Sequence, residues 1–182
     1  MTVRGAVAVH TDRVLIPVFV SSPTTLSDAQ EAARQRVVKE LRAIGLEPRA
    51  LGRREYPTEY PLKEIAVIAK HCSGGVILGF EQFRSLQGIR KPGTSAEEKV
   101  DHHTPFATPW NQLEAGILFG LRLPLLIFKE DGITGGVFDN GVTDVFVHSM
   151  PPSRPSREQL HELRELVRKW QSKVREHYYR FD

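Results

Sequence analysis

Three apolar runs, Arg13 to Val20 (RVLIPVFV), Val76 to Phe80 (VILGF) and Pro124 to Phe128 (PLLIF), are short, rich in branched side chains and nearly uninterrupted. Runs of this kind suit central strands of a parallel sheet, which is covered on both faces and so shows no polar alternation. Helical periodicity fills the gaps between them. Ser27 with Gln30 three residues later predicts a capping box, and Ala33, Val37, Leu41 and Ile44 then recur at helical spacing until Gly45. A second strand candidate, Leu46 to Leu51, leads through a polar loop, Gly52 to Tyr60, into a helix over Pro61 to His71. That helix turns Leu62, Ile65, Ile68 and Ala69 inward and ends at Gly74-Gly75. Val145 to Val147 reads as a last short strand, and residues 1 to 12 as an extension or edge strand. The alternation predicts an α/β fold: a doubly wound, flavodoxin-like, mostly parallel sheet of about five strands with helices on both faces.

At 182 residues the chain fits one domain that can bury a core without staples. Residues 1–150 are read as the α/β domain and residues 151–182 as an amphipathic C-terminal helix packed on it. Ser156 and Gln159 form a second capping box, and Leu160, Leu163, Val167, Trp170 and Val174 make one apolar stripe. The stripe covers an open face or edge of the sheet, or forms a helix–helix seam in a homo-oligomer. The one cysteine, Cys72, excludes an internal disulfide framework and suits a reducing, cytoplasmic setting as a small buried hydrophobe. No apolar run reaches the roughly 18 residues of a membrane span, since Val14 to Val20 is short and broken by Pro17. No membrane association is therefore expected. A net charge of +3, with the cations mixed among glutamates, does not indicate nucleic acid and is compatible with a small phosphorylated ligand.

The stretch from Thr104 to Leu121 (TPFATPWNQLEAGILFGL) carries the chemistry. Thr108 and Pro109 read as N-cap and first helical residue. From Leu113 to Leu121 the helix is apolar or glycine except for Glu114, and a helix greasy all round should be covered on most faces. Trp110 and Leu118 lie one turn either side of Glu114, so the carboxylate projects from a stripe expected to be dry. An isolated carboxylate there is costly, and its pKa should rise. Glu114 is then either a structural residue favoured by the helix dipole and bonded to a backbone N–H or an arginine, or a catalytic carboxylate at the mouth of a cleft.

The surroundings favour the second reading. Residues 81 to 107 form a long connection with an EEK run, read as a lid, between the end of a strand and the Glu114 helix. Open α/β sheets place ligands at that end of their strands. Asp101-His102-His103 within it lacks metal-ligand spacing, and no metal or resident cofactor is expected. The chain has no phosphate-binding P-loop, no G-x-G-x-x-G after a strand, no G-x-S-x-G and no H-E-x-x-H. A single carboxylate in a partly dry pocket suits cleavage of an N-glycosidic bond, where it stabilises or captures an oxocarbenium-like sugar. Ser21 and Ser22 are candidates for sugar or phosphate binding, Phe80 and Glu81 for the cleft rim, and Trp110 or Phe80 for a flat surface under a base. Asn111 is a further candidate. Asn140-Gly141 is a strong turn signal, and Asn140 either only shapes the turn or faces the ligand.

These residues resemble two related groups. Ile65 to Phe80 (IAVIAKHCSGGVILGF), the TPWNQLEAGIL stretch and PLLIF are similar to the central part of Toll/interleukin-1 receptor (TIR) domains, and V-F-V-S-S after the first strand to the opening of that fold. The W-x-x-x-E of TIR enzymes falls on Trp110 and Glu114, which implies that Glu114 is the catalytic residue for NAD cleavage. The same stretches resemble the nucleoside 2-deoxyribosyltransferase-like group, whose E-x-G-x-x-x-G helix falls on Glu114, Gly116 and Gly120. The aspartate those transferases place before the glutamate is replaced here by Thr108, Pro109, Asn111 and Gln112, which favours hydrolysis over transfer. The resemblance implies a hydrolase using NAD or a related nucleotide or nucleoside as substrate. The alternative it leaves open is a non-catalytic module binding a nucleotide or protein in bacterial defence signalling.

Overall fold

The computed structural model describes residues 15–50 and 60–180, so residues 1–12 and the polar loop after Ala50 lie outside it. Five parallel strands form the central sheet: β1 (Ile16–Ser21), β2 (Leu46–Arg49), β3 (Gly75–Gly79), β8 (Leu125–Lys129) and β9 (Val147–Ser149). Their order is β2-β1-β3-β8-β9, and all four neighbouring pairs are parallel. This is the expected flavodoxin-like winding. The strand order reverses between β1 and β3, so a crevice is expected at their C-terminal ends.

Period-two alternation divides the core. Val18 and Val20 of β1, Val76 and Leu78 of β3, and Leu126 and Phe128 of β8 face one side. There they meet Ala33, Val37 and Leu41 of α1 (Asp28–Ala43) and Leu163, Val167, Trp170 and Val174 of α4 (Arg157–Arg180). Phe19, Ile77, Leu125 and Ile127 face the other side, against Ile65, Ile68 and Ala69 of α2 (Pro61–Lys70) and Ala115 and Leu118 of α3 (Pro109–Gly120). The C-terminal stripe thus covers a sheet face. Cys72 is buried in the second cluster.

Both capping boxes form: Ser27 Oγ accepts from the Gln30 N–H at 3.3 Å, and Ser156 Oγ from the Gln159 N–H at 3.1 Å. Their glutamines bond back to the cap N–H groups at 3.1 and 2.9 Å. Gly74 and Gly75 do more than stop a helix. A Cβ on Gly74 would lie 2.8 Å from atoms of Trp170 and Val174, and one on Gly75 2.7 Å from Leu118 Cδ1, so helices on both faces press onto the first turn of β3.

Residues 81 to 107 are not a structureless loop. They rise as a two-tier antiparallel arm, in which β4 (Phe83–Ser85) pairs with β7 (Thr104–Phe106) and β5 (Gly88–Arg90) pairs with β6 (Glu98–Val100). Strands of three residues, two of them carrying glycine or proline, leave no periodic signal in sequence. Phe83 and Phe106 stand opposite each other at the root, ring centroids 6.1 Å apart. Pro105 leans on the loop after β8, where a Cβ on Gly132 would lie 3.1 Å from its ring.

Candidate functional site

The site is assembled at the C-terminal ends of β1 and β3, where the strand order reverses. Thr108 caps α3: its Oγ1 accepts from the Asn111 N–H at 3.2 Å and donates to Asn111 Oδ1 at 3.1 Å. The amide is thereby oriented with Nδ2 toward the sheet. That nitrogen donates to Ser21 Oγ at 2.7 Å and makes a longer contact with the Leu78 carbonyl at 3.4 Å. A carbonyl can only accept, so the amide cannot be turned over. Ser21 Oγ keeps its own proton available for donation, and the Ser21 hydroxyl is the side-chain hydrogen-bond partner that favours the charged form of Glu114. Thr108, Asn111, Ser21 and Glu114 thus form a directional chain of bonds joining the start of α3 to the end of β1.

Glu114 has no ion pair with a described residue. Burial beneath α3 pushes its pKa up from 4.5 to about 7, with the Ser21 hydrogen bond opposing the shift. The carboxylate therefore changes charge near neutrality. One side of its helix is held by the loop after β8: Gln112 Nε2 donates to the Gly135 carbonyl and Gln112 Oε1 accepts from the Val137 N–H, both at 3.0 Å. Lys129 Nζ ties the same loop to the sheet through the carbonyls of Ile133 at 2.8 Å and Phe138 at 3.0 Å. Phe138 packs over Gly79, where a Cβ would sit 2.4 Å from its ring.

No family model matches this chain, and no curated protein matches it in sequence.

The other residues singled out from sequence fall in different places. Phe80 is fully buried among Val76, Leu78 and Phe128, on the sheet face opposite α3, and offers no surface to a base. Its parity with Val76 and Leu78 along the strand puts it there. Trp110 is 46% exposed and Leu113 48%, so only the Leu118 side of the helix is dry. The buried face runs through Asn111, Ala115 and Leu118, and Trp110 lies to one side of it, so the expected dry stripe does not include Trp110. Asn111, at 1% exposed, is a positioning group rather than an open ligand contact.

Glu81 sits at the foot of the arm. Its N–H donates to Glu130 Oε2 at 2.6 Å, and its carboxylate engages Arg84 and His103. The Arg84 bond holds that carboxyl below its usual range. Glu81 thus ties together the two sides of the arm's root. Ser22 Oγ donates to the neighbouring Pro23 carbonyl at 3.2 Å. Asn140 shapes its turn, its Oδ1 accepting from the Val147 N–H at 3.2 Å. His102 and His103 are exposed, and no group of three metal-binding side chains occurs among the described residues. No helix among them is long and apolar enough to cross a membrane.

Sequence reasoning found Thr108 as a cap but missed its bond to the Asn111 side chain. It also missed Gln112 and Lys129, whose partners are backbone groups of a loop and leave no residue pattern. The assembled site holds an oriented carboxylate that can carry negative charge or a proton at neutral pH. It can stabilise a nearby cation, accept a proton or attack an electrophilic carbon.

Proposed function

We propose that this chain cleaves the N-glycosidic bond of NAD or a related nucleotide or nucleoside, with Glu114 as the catalytic carboxylate and no resident cofactor. The observation that carries this reading is a partly buried carboxylate, unpaired with any described cation and partnered by Ser21, at the C-terminal end of β1 where the strand order reverses. Protein that keeps such a group desolvated gives up stability for it, which is expected of a functional site.

In the reaction the bond from the sugar C1′ to the base nitrogen breaks, and its electron pair leaves with the base. Ionised Glu114 stabilises the oxocarbenium-like C1′ or bonds to it; water then attacks C1′ and loses a proton. A nicotinamide bound through a positively charged nitrogen leaves neutral and needs no proton from the enzyme. A neutral purine or pyrimidine must gain one, so a site built on one carboxylate favours the cationic base. Ser21, held by Asn111, is the positioning residue for the carboxylate.

Incubating the protein with NAD and a panel of nucleosides, beside Glu114→Gln, tests this. Base release that disappears in the variant is expected. Release that persists unchanged, or none from any substrate, would remove the assignment. A second reading, a non-catalytic module for a nucleotide or protein partner in defence signalling, draws on the exposed Phe83, Leu86 and Ile89 of the arm. Tight nucleotide binding without turnover would favour it. Both readings place the protein in the cytoplasm.

A further inference from the structure

On the α1 side of the sheet, the face opposite Glu114, lies a cavity of about 770 Å³. Its walls carry Arg34, Arg36, Lys39 and Arg42 from α1, over a floor that includes Val20 and Pro48. Arg34 is already paired with Glu31 at 2.6 Å. Arg36, Lys39 and Arg42 have no ion pair among the described residues. Arg36 Nε is moreover buried with no hydrogen-bond partner among them. A buried donor left unpaired is costly, and so is the mutual repulsion of three cations along two turns of one helix. An anion with several oxygens would relieve both.

We propose that this cavity is a second binding site, for a small polyphosphate anion. The volume falls within the range of about 300–1,000 Å³ usual for small-ligand sites. Among the described residues the walls include no aromatic side chain, so these walls supply none of the stacking platforms on which single-stranded nucleic acid depends. Guanidinium groups match phosphate oxygens in pairs, and Arg36 Nε supplies one such donor inside the cavity. The site does not depend on the glycosidase reading, since it shares no residue with the Glu114 network.

Titration calorimetry with inorganic tripolyphosphate, and separately with a nucleoside triphosphate, tests the proposal. The protein would be compared with Arg36→Gln/Lys39→Gln/Arg42→Gln and with a control of equal charge loss on exposed α4 positions, Lys169→Gln/Lys173→Gln/Arg175→Gln. One equivalent of tripolyphosphate should bind, at least about tenfold more weakly to the α1 variant and within about twofold of the parent to the α4 variant. If only the nucleoside triphosphate shows tight binding, the base contributes and the phosphates still account for the loss in the α1 variant. Absence of binding by both ligands at about 1 mM, or equal weakening in the two triple variants, would overturn the proposal. So would binding of a single-stranded oligoribonucleotide, lost in the α1 variant, where tripolyphosphate fails. Should the triple variant not fold, the single substitution Lys39→Glu at an exposed position must weaken tripolyphosphate binding in its place.

Discussion

Replacing Glu114 by glutamine should make the protein more stable at pH 8 and leave it nearly unchanged at pH 4. The glutamine keeps the shape and still accepts the Ser21 proton, but carries no charge to desolvate. In the folded chain the Glu114 pKa is pushed from 4.5 to about 7 by burial. Between those values the native state holds a proton that the unfolded chain releases, so stability falls as pH rises from about 4.5 through 7. Above pH 7 the full penalty is present. At about 1.4 kcal/mol per pH unit, that interval sets an upper figure of about 3 kcal/mol for the gain in Glu114→Gln at pH 8. His148 and His177, whose pKa values burial lowers, give a slope of opposite sign, but they are common to both proteins and cancel in the difference. Urea unfolding followed by tryptophan fluorescence, at pH 4, 6 and 8, measures that difference. A variant less stable than the parent by the same amount at every pH would show that folding does not displace the Glu114 pKa, and the reasoning above would fail.

Three further outcomes follow from the packing. Ser21→Ala removes the hydrogen bond that opposes the desolvation of Glu114, so the pH at which the Glu114-dependent stability difference develops should move upward from about 7; an unchanged midpoint would place the hydroxyl elsewhere. Gly79→Ala puts a methyl 2.4 Å from the Phe138 ring and should cost about 1–3 kcal/mol in urea unfolding, with Phe138→Leu recovering part of it. Cutting the chain before Ser156 strips Leu163, Val167, Trp170 and Val174 from one face of the sheet. At about 1.5–3 kcal/mol for each buried side chain, that loss matches the whole stability of an ordinary domain, about 5–15 kcal/mol. Light scattering of the shortened protein should show aggregation.

The winding of the sheet was legible because its signals are local: branched apolar runs for the strands, and serine–glutamine pairs at the helix starts. The position of the carboxylate was legible for the same reason, as the one charge in an apolar helix. Phe80 was misplaced as a rim residue because its face depends on strand parity, and parity is known only once the register against β1 and β8 is fixed. Trp110 was expected to be dry because helical spacing gives which residues share a face but not which face meets the sheet; here that face runs through Asn111, Ala115 and Leu118. The contact that aims Glu114 joins Ser21 to Asn111, 90 positions apart, and no spacing rule reaches that far. The arm's strands escaped notice because three residues are too few for a period-two alternation to stand out.

That arm leaves and re-enters the domain through a single narrow gate, where the Gln82 N–H meets the Phe106 carbonyl at 2.9 Å. Its two ends are thus already as close as those of a tight turn. Residues 83–106 could be exchanged for a hairpin of another length or sequence while β3 still runs on into the Glu114 helix. The sequence of this appendage can therefore diversify without disturbing the framework that holds the carboxylate.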